Sequence, residues 1–391
     1  MDVARLGQSV EQRFLDLPQE AAFSGFESGP TVHFPCPQGR QRLSKPEEHL
    51  SNHYIAVGCA GIDSGGIVDE ATERAFSIER EISAWLRVSG IEGAALEPLV
   101  GDLSTRKYFR ASTRDGSFVV ARYPPELRGA QRRFRLAGEL LRGAGVRVPT
   151  LHRDDPERGL ALLEDVGRET LYERRRGWEQ APDELRSALE VIAAIGRLSR
   201  DAVRALGSPE LDPALLRREL DAVLRLFLVP HGLGGPDWTA ALDELCRRLG
   251  DEPGLPCHRD LMARNLVPDG RGGVVVLDFQ DLRLGPASYD LASLLNDSFF
   301  AGPAIEEAIL AEQRPGAAAR LAYGRAVVQR SLKAVGTFLS FAERGERRHL
   351  PLVAPTLERA ERWLPLLPEL APLYETSLPD WRGGVAATRL C

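Results

Sequence analysis

The chain has 391 residues with 50 Lys and Arg against 56 Asp and Glu, a formal net charge of −6, and 43% of its residues are hydrophobic. This balance is typical of a globular protein, and it argues against a nucleic-acid partner, because phosphate neutralisation needs a clustered basic face. The longest apolar stretches are far shorter than the ~20 residues that cross a bilayer, so no membrane span is expected.

Residues 1–70 are rich in Gly, Pro and Ser and show neither a helical nor a strand period. A disordered extension and a wrongly assigned start codon both account for this pattern, and we assign the segment no function. The five cysteines of the chain are scattered without metal-binding spacing, and the amino terminus lacks the basic-then-apolar order of a secretory signal. Both observations favour a cytoplasmic location.

The segment that follows predicts a helix and then a β-hairpin. Ile78, Ile82 and Leu86 recur at helical spacing. The dipeptide Asp115-Gly116 stands between two β-rich runs, which is a strong hairpin signal. This part of the chain is therefore predicted to begin a small lobe of mixed structure.

Further along, a helix that starts near residue 132 is predicted to stop at Gly143 and Gly145. Residues 160–167, LALLEDVG, predict an apolar strand with an acidic end, and from about residue 172 the periodicity is mainly helical. The predicted fold class is α+β with two lobes. Residues 71–166 form a small β-rich lobe (the N-lobe), and residues 167–391 form a larger helical lobe (the C-lobe).

Residues that suit catalysis are concentrated between positions 257 and 290. Asp260 and Asn265 precede a predicted hairpin turn, and Asp278 ends the apolar strand that follows the turn. Oxygens of Asn265 and Asp278 could approach one Mg²⁺ from two sides, since this ion takes one or two protein oxygens besides phosphates and water. Asp260 would then stay off the metal and accept a proton from a hydroxyl nucleophile.

The spacing H-x-D-x4-N, formed by His258, Asp260 and Asn265 and followed by Asp278-Phe279, resembles the catalytic loop and metal motif of the kinase-like fold. Gln280 stands where a protein kinase has glycine, and there is no APE segment. The block instead resembles the aminoglycoside phosphotransferase family. More narrowly, it is similar to bacterial N-acetylmuramate/N-acetylglucosamine anomeric kinases, which share the HRD-x-x-x-RN loop, the DFQD strand end and the GP-x-x-YDL-x-SLL helix.

Four further segments extend this resemblance from about residue 78 to about residue 370. They are GDLSTRKYFR at 101–110, RYPPE at 122–126, LLEDVG at 162–167 and QRSLKAVGTF at 329–338. The resemblance implies a two-lobed kinase-like fold and an ATP- and Mg²⁺-dependent transfer of phosphate to a small molecule. The implied acceptor is the anomeric hydroxyl of an N-acetylated amino sugar, and the implied role is cell-wall recycling.

The resemblance also implies a role for each residue around the catalytic loop. Asp260 is the expected catalytic base, which orients the hydroxyl and takes its proton late, and Asn265 and Asp278 are the expected Mg²⁺ ligands. His258 and Asp290 are expected to support the loop, with Asp290 accepting hydrogen bonds from backbone amides or from His258. Arg259 has no assigned task, and a solvated position suits it equally well.

On the nucleotide side, the backbone and hydroxyl groups of Ser104 and Thr105 are expected to cover the phosphates. Arg122 stands where the strand usually ends in a phosphate-contacting lysine, so it is either a phosphate ligand or a surface residue. Glu139 is its candidate ion-pair partner. Lys107 and Arg110 are expected on the solvent side of their strand.

The hinge between the lobes is predicted at Glu164, Asp165 and Val166, whose backbone groups would contact adenine. Side-chain identity carries little information at such a hinge.

Two other functions remain open at this level. An aminoglycoside or another small alcohol could be the acceptor, and Glu306, Glu307 and Glu312 could then form an acidic binding face, although solvated helix acids explain them equally well. A nucleotide-binding pseudokinase or scaffold is the alternative from another class, suggested by the missing lysine. Retention of Asp260, Asn265 and Asp278 together argues against it. The sequence does not identify a protein partner.

Overall fold

The structure is a computed structural model that describes residues 70–99, 106–174 and 177–389, with side chains from residue 77 onward. Residues 1–69, for which the sequence left two interpretations open, lie outside this description. Within the described parts of the chain, no helix combines the length and the apolarity needed to cross a bilayer.

A helix and a five-stranded antiparallel sheet form the N-lobe. The helix α1 spans Glu70–Val88, and the strand order in the sheet is β1-β2-β3-β5-β4. The strands are β1 Ala95–Leu99, β2 Lys107–Ser112, β3 Ser117–Arg122, β4 Leu151–Asp155 and β5 Leu160–Glu164. The turn between β2 and β3 contains the predicted Asp115-Gly116 dipeptide, and Gly116 has a φ of +148°. The predicted hairpin is therefore confirmed.

The two faces of this sheet pack against different parts of the molecule. Val120 and Leu162 belong to a small core with Ile82 of α1, and we call this side the helix face. Ala121 and Leu163 belong to the large core that continues into the C-lobe, and we call this side the cleft face. Successive residues of a strand alternate between the two faces, so the position of one residue determines the side of its neighbours.

Helix α2, Arg128–Gly143, joins β3 to β4 and ends at the predicted glycine. Its Phe134 stacks on Phe279 of the C-lobe with ring centroids 4.5 Å apart. A Cβ atom at Gly138 would approach the Phe279 ring to 3.3 Å, so the glycine allows this close packing. The contact fixes the residue next to Asp278 against a helix of the other lobe.

The C-lobe is mainly helical, as predicted. Its helices are α3 Pro182–Gly196, α4 Arg200–Arg204, α5 Pro213–Arg218, α6 Asp221–Val223, α7 Pro236–Gly250, α8 Tyr289–Asn296, α9 Pro303–Gln313, α10 Ala317–Glu343, α11 Val353–Glu361, α12 Ala371–Thr376 and α13 Leu378–Thr388. A π-helical turn, Leu224–Leu228, continues α6. Helix α10 runs through the centre of the lobe, and many of its side chains are buried.

Two short antiparallel ribbons frame the predicted catalytic loop. Strand β6, Gly254–Cys257, pairs with β9, Arg283–Pro286. Strand β7, Leu266–Pro268, pairs with β8, Val274–Val276, through the predicted hairpin. The loop between β6 and β7 carries Asp260, and the segment between β8 and β9 carries Asp278. The predicted α+β architecture, with a β-rich N-lobe and a larger helical C-lobe, is confirmed.

Candidate functional site

The loop between β6 and β7 is tied to helix α8 by one carboxylate. Asp290 is buried and accepts hydrogen bonds from the backbone N–H of His258, at 2.7 Å, and of Arg259, at 2.9 Å. Burial raises the pKa of Asp290, although the two amides and the nearby His258 favour its charged form. The Nε2 atom of the fully buried His258 lies 2.9 Å from the carbonyl oxygen of Leu277. These bonds hold the loop beside the end of β8.

The Asp260 carboxylate lies among three cations. Its Oδ1 is 3.5 Å from Lys333 Nζ and 3.5 Å from Arg330 Nη2, and its Oδ2 is 3.9 Å from Arg259 Nε. Burial opposes ionisation, but the charges of Lys333, Arg330 and Arg259 outweigh it and hold the pKa of Asp260 far below its usual value. The carboxylate is therefore ionised at neutral pH and partly open to solvent, with a side-chain exposure of 26%.

Arg259 forms part of this network with a side-chain exposure of 20%, so the structure decides the question that the sequence left open against a solvated position. Its Nη2 donates to Glu219 Oε1 at 2.7 Å, and its Nη1 donates to Asp281 Oδ2 at 3.2 Å. Its backbone has a φ of +79°, which is unusual for a residue with a side chain. The bond from its amide to Asp290 secures this conformation.

Arg330 and Lys333 both come from α10, some seventy residues beyond Asp260. Arg330 donates to the carbonyl oxygen of Arg259 and to Asp297 Oδ2, the latter at 3.0 Å. Lys333 also lies 3.7 Å from Glu219 Oε1, and burial lowers its pKa. Both residues lie in the segment 329–338, which extends the family resemblance, but the sequence alone assigned them no role. One signal was available, because lysine occurs in this Arg-rich chain only at Lys45, Lys107 and Lys333.

A backbone hydrogen bond holds the segments of Asn265 and Asp278, the two predicted metal ligands, next to each other. The N–H of Leu277, next to Asp278, donates to the backbone oxygen of Asn265 at 2.8 Å. The side-chain amide of Asn265 donates to the Asp260 carbonyl at 2.7 Å, which orients its Oδ1 away from that carbonyl. Asp278 is 44% exposed and has a left-handed backbone, with a φ of +57°.

The donor set fits a Mg²⁺ ion. Among the described residues, Arg106 Nη2 at 3.0 Å and Gln280 Nε2 at 2.8 Å both donate to Asp278 Oδ1. One carboxylate oxygen and the Asn265 amide oxygen are thus available as hard ligands, which is the small set that Mg²⁺ takes in phosphate sites. Within the described residues, no group of three or more His, Cys, Asp or Glu side chains could hold a metal.

At the predicted hinge, two acidic side chains make ion pairs with arginines. Glu164 accepts from both terminal nitrogens of Arg147 and from the Thr150 amide, and the bonds to Arg147 lower its pKa to about 2. Asp165 accepts from Arg110 Nε at 2.7 Å. The side chains of Glu164 and Asp165 are therefore engaged within the protein. This leaves the backbone as the part of the hinge that a ligand would contact.

Arg110 is 5% exposed, so the prediction that it faces solvent is wrong. Its Nη2 also donates to the carbonyl oxygen of Gly167 at 2.9 Å, which ties β2 to the hinge. Lys107, on the other face of the same strand, is exposed as predicted.

The sequence assigned Arg122 to nucleotide phosphate as one of two options, and the structure places it on the helix face of the sheet. Its neighbour Ala121 packs into the large core, so Arg122 points the other way. Its Nε donates to Glu81 Oε2 of α1 at 3.1 Å. The expected partner Glu139 instead pairs with Arg135, one helical turn earlier, at 2.9 Å. Arg122 is thus part of the contact between the sheet and α1.

Arg106 provides a cation on the cleft face instead, and the sequence analysis missed it. It lies beside the Tyr108 ring, 5.9 Å from the centroid, and reaches Asp278 across the space between the lobes. Ser104 and Thr105, the predicted phosphate-covering residues, precede it directly and lie outside the described residues. Val166 is half-buried at the hinge.

A small cavity lies next to the Asp260 network on the side of helix α10. Arg264, a little further along the same loop than Asp260, forms part of the cavity wall. The Arg264 guanidinium lies 3.6 Å from the centroid of the Tyr172 ring. Other lining residues are Asn296, Asp297, Ser298, Phe300, Ala334, Phe338, Leu352 and Thr356. Through Asp297 the cavity is linked to Arg330 and hence to Asp260.

The acidic face suggested for a polycationic acceptor does not form as expected. Glu306 is 2% exposed; its carboxylate accepts from the Tyr323 hydroxyl at 2.8 Å and lies 2.9 Å from Arg362 Nη2. Glu307 pairs with Arg320 at 2.6 Å. Both carboxylates are neutralised by residues of the C-lobe itself, and Glu312 lies exposed on the same helix. One exposed acid does not make the acidic face that a polycationic aminoglycoside would need.

A family model matches the part of the chain that contains most of these residues. The model of the phosphotransferase enzyme family matches residues 95–329, which include the N-lobe sheet, the hinge, the catalytic loop and about the first half of α10, up to the residue before Arg330. The match therefore covers more than half of the chain.

Curated relatives with a single name match most of the chain. N-acetylmuramate/N-acetylglucosamine kinase of Pseudomonas aeruginosa is 33% identical over 318 residues, covering 73% of this chain and 89% of the relative. The kinase of the same name from Pseudomonas putida is 31% identical, covering 73% and 88%. That of Neisseria meningitidis is 30% identical, covering 70% and 86%.

Solved structures share the fold at lower identity. Choline kinase LicA from Streptococcus pneumoniae superposes with a TM-score of 0.54 at 18% identity, covering 77% of this chain and 99% of that one. The ADP-bound aminoglycoside phosphotransferase APH(2'')-Ib gives a TM-score of 0.50 at 13% identity, covering 75% and 98%. These similarities establish the kinase-like fold predicted from the sequence.

Proposed function

This chain belongs to the phosphotransferase enzyme family, and from that membership we propose that it transfers the γ-phosphoryl group of ATP to the anomeric hydroxyl of N-acetylmuramate or N-acetylglucosamine. The observation that carries the proposal is the Asp260 carboxylate, kept ionised by three cations on a loop that Asp290 holds in place. The relatives at 30–33% identity, all named for this sugar kinase activity, support the choice of acceptor. The product would be a sugar 1-phosphate, as cell-wall recycling requires.

Asp260 acts as the catalytic base in this proposal. A sugar hydroxyl holds its proton too tightly to lose it before attack, so the carboxylate first orients the hydroxyl and accepts the proton as the bond to phosphorus forms. A carboxylate with a low pKa is a weak base, which suits a late proton transfer. Its main contribution is then the fixed position that Arg330 and Lys333 give it.

Asn265 and Asp278 would hold the Mg²⁺ ion that accompanies ATP. The ion, when bound, neutralises charge on the phosphates. The protein's part is to keep the two oxygen donors in register with Asp260, and the Leu277–Asn265 and Asn265–Asp260 hydrogen bonds do so.

The nucleotide is proposed to lie between the lobes, with adenine against the backbone of Glu164, Asp165 and Val166. Because Glu164 and Asp165 direct their side chains to Arg147 and Arg110, the hinge backbone is held in shape without the ligand. Ser104 and Thr105 remain the predicted residues over the phosphates.

The buried free thiols Cys246 and Cys257 suit a reducing cytoplasm, where ATP is available.

The acceptor, an amino sugar, is proposed to bind beside Asp260, whose carboxylate is partly open to solvent. Neutralisation of Glu306 and Glu307 within the lobe is the observation that favours such a sugar over a polycationic drug.

A phosphoryl-transfer assay with matched acceptors tests the proposal. N-acetylmuramate and N-acetylglucosamine are incubated with Mg²⁺ and γ-labelled ATP beside their methyl glycosides, which lack a free anomeric hydroxyl. Choline and a small aminoglycoside panel are included, and Asp260→Asn serves as the inactive control. We expect label on the two free sugars alone, and a phosphorus NMR signal that couples to the anomeric proton.

Other results would change the conclusion in defined ways. Phosphorylation of a methyl glycoside would move the reaction to another hydroxyl. Transfer to choline or an aminoglycoside but to no sugar would keep the fold and discard the sugar. Equal inactivity of wild type and Asp260→Asn on every acceptor, with ATP still bound, would favour the pseudokinase alternative.

A further inference from the structure

We infer that Arg106 is the residue through which the N-lobe binds nucleotide phosphate, at the place where its guanidinium meets the Asp278 carboxylate. The inference rests on the proposed use of ATP but not on the identity of the acceptor. It assigns phosphate binding to the residue directly before β2, in place of Arg122 at the end of β3.

The first argument is the side of the sheet. Within the antiparallel β2–β3 pair, Tyr108 is opposite Ala121 and Lys107 is opposite Arg122. Tyr108 and Ala121 both pack on the large core, so Lys107 and Arg122 share the helix face. Arg106, one residue before Lys107, therefore returns to the cleft face, where nucleotide is proposed to bind.

The second argument is the supply of positive charge on that face. Arg110 is the next cleft-face cation of the strand, but two of its nitrogens are bonded to Asp165 and one of these also to Gly167. Its charge is used at the hinge. Among the described residues of β2 and β3 and the position before each, this leaves Arg106 as the cation that reaches the predicted metal ligand.

The third argument is the contact itself. Arg106 comes from the N-lobe, Asp278 comes from the C-lobe, and their atoms are 3.0 Å apart in a pair whose arginine side chain is 11% exposed. Asp278 would hold the Mg²⁺ ion that accompanies ATP and neutralises charge on its phosphates, so a guanidinium at Asp278 would stand next to those phosphates. Guanidinium groups bind phosphate with two parallel hydrogen bonds, and arginine stays charged at any working pH.

The ion pair also shows that little movement is needed. Arg106 lies against the half-exposed Asp278 carboxylate. If Asp278 serves as a ligand of Mg²⁺, the Arg106 guanidinium would need to move only from one oxygen anion to an adjacent phosphate oxygen.

Nucleotide binding in the absence of any acceptor tests this inference. Dissociation constants for ATP and ADP with Mg²⁺, and for adenosine, are measured by titration calorimetry for wild type, Arg106→Met, Arg106→Lys and the matched control Arg122→Met. We expect Arg106→Met to bind ATP and ADP about 10- to 100-fold more weakly, as loss of a charge-assisted hydrogen bond implies. Adenosine binding should change by less than about twofold, and Arg106→Lys should be intermediate.

Arg122→Met should bind all three ligands within about twofold of wild type, because Arg122 lies on the other face. The inference is overturned if Arg106→Met binds ATP like wild type, if it loses adenosine to the same extent, or if Arg122→Met shows the phosphate-specific loss instead. Unchanged thermal unfolding of Arg106→Lys guards against a folding defect. A failed sugar assay with the Arg106 effect intact would reject the acceptor alone.

Discussion

Asp260 and Asp278 are both acids of the proposed reaction centre, but they are neutralised in different ways. Asp260 is surrounded by Arg259, Arg330 and Lys333, all from the C-lobe. Asp278 is more exposed, and its charged partner, Arg106, comes from the other lobe. The charge of the expected base, Asp260, is thus compensated within the C-lobe. The charge of the expected metal ligand, Asp278, is compensated by a residue of the N-lobe.

This difference indicates how the protein can keep the position of its base fixed while its metal ligand changes partners. The cations around Asp260 all belong to the C-lobe, so its charge compensation does not depend on where the N-lobe lies. The Asp278 carboxylate instead pairs with Arg106 of the N-lobe, at a position that the proposed nucleotide shares. Five predictions test the comparison, and they are given from the largest expected effect to the smallest.

The largest effect should come from removing the base while keeping the shape. Asp260→Asn cannot accept the hydroxyl proton, so we expect kcat to fall by about 10²- to 10⁴-fold. The dissociation constant for ATP should stay within about twofold, because the nucleotide is proposed to bind at Asp278 and the hinge. Steady-state kinetics with calorimetry measures both. A kcat within tenfold of wild type would remove Asp260 from the role of base.

Loss of the anchor under the catalytic loop should reduce stability. In Asp290→Ala two buried backbone N–H groups lose their acceptor, and we expect the free energy of unfolding to fall by about 2–4 kcal/mol. The matched control is Asp221→Ala on the surface, where the pair with Arg217 is 68% exposed on the Asp side. That change should remain below about 1 kcal/mol. Urea unfolding compares the two, and equal losses would contradict a special role for Asp290.

The pH profile should show how strongly the C-lobe cations act on Asp260. Its depressed pKa means that wild type keeps the base ionised through the mildly acidic range. Lys333→Met removes one of the cations, so the acid limb of kcat should move to higher pH, while Lys333→Arg should leave it in place. Rates measured from pH 4 to 8 locate the acid limb in each variant. If the limb does not move in Lys333→Met, Lys333 does not lower the pKa of the base.

The same low pKa has a consequence for stability. An acid whose folded pKa lies below its unfolded value contributes stability above the unfolded pKa, and this contribution is lost as pH falls through the folded pKa. Part of the Asp260 contribution should therefore persist in wild type under acidic conditions where Lys333→Met has already lost it.

The smallest effect is expected at the hinge, in the N-lobe half of the comparison. Arg147 and Glu164 are both partly exposed, and the pair lowers the pKa of Glu164 from 4.5 to about 2. Arg147→Met should cost about 1 kcal/mol at neutral pH after allowance for solvent screening. The loss should shrink as pH falls from 4.5 towards 2, and it should vanish below the wild-type pKa of about 2, where the carboxyl is protonated in both proteins. Unfolding measured at pH 7 and pH 3 shows whether the difference depends on pH.

The local parts of the site could be predicted from the sequence. His258, Asp260, Asn265 and Asp278 lie within 21 consecutive positions of the printed chain, and a hairpin of known turn residues separates the last two. Chain connectivity alone brings such residues together, so spacing was sufficient to place them. The α+β class followed in the same way, from the Asp115-Gly116 turn and the long helical run beyond the hinge.

The tertiary structure decided which charges act on those residues. Lys333 and Arg330 lie about seventy residues from Asp260, and only the packing of α10 under the loop brings them within 3.5 Å. Arg106, Lys107 and Arg122 have similar chemistry and neighbouring positions. A shift of one residue along a strand moves a side chain to the other face, so the choice between them depends on register and on which face the C-lobe covers.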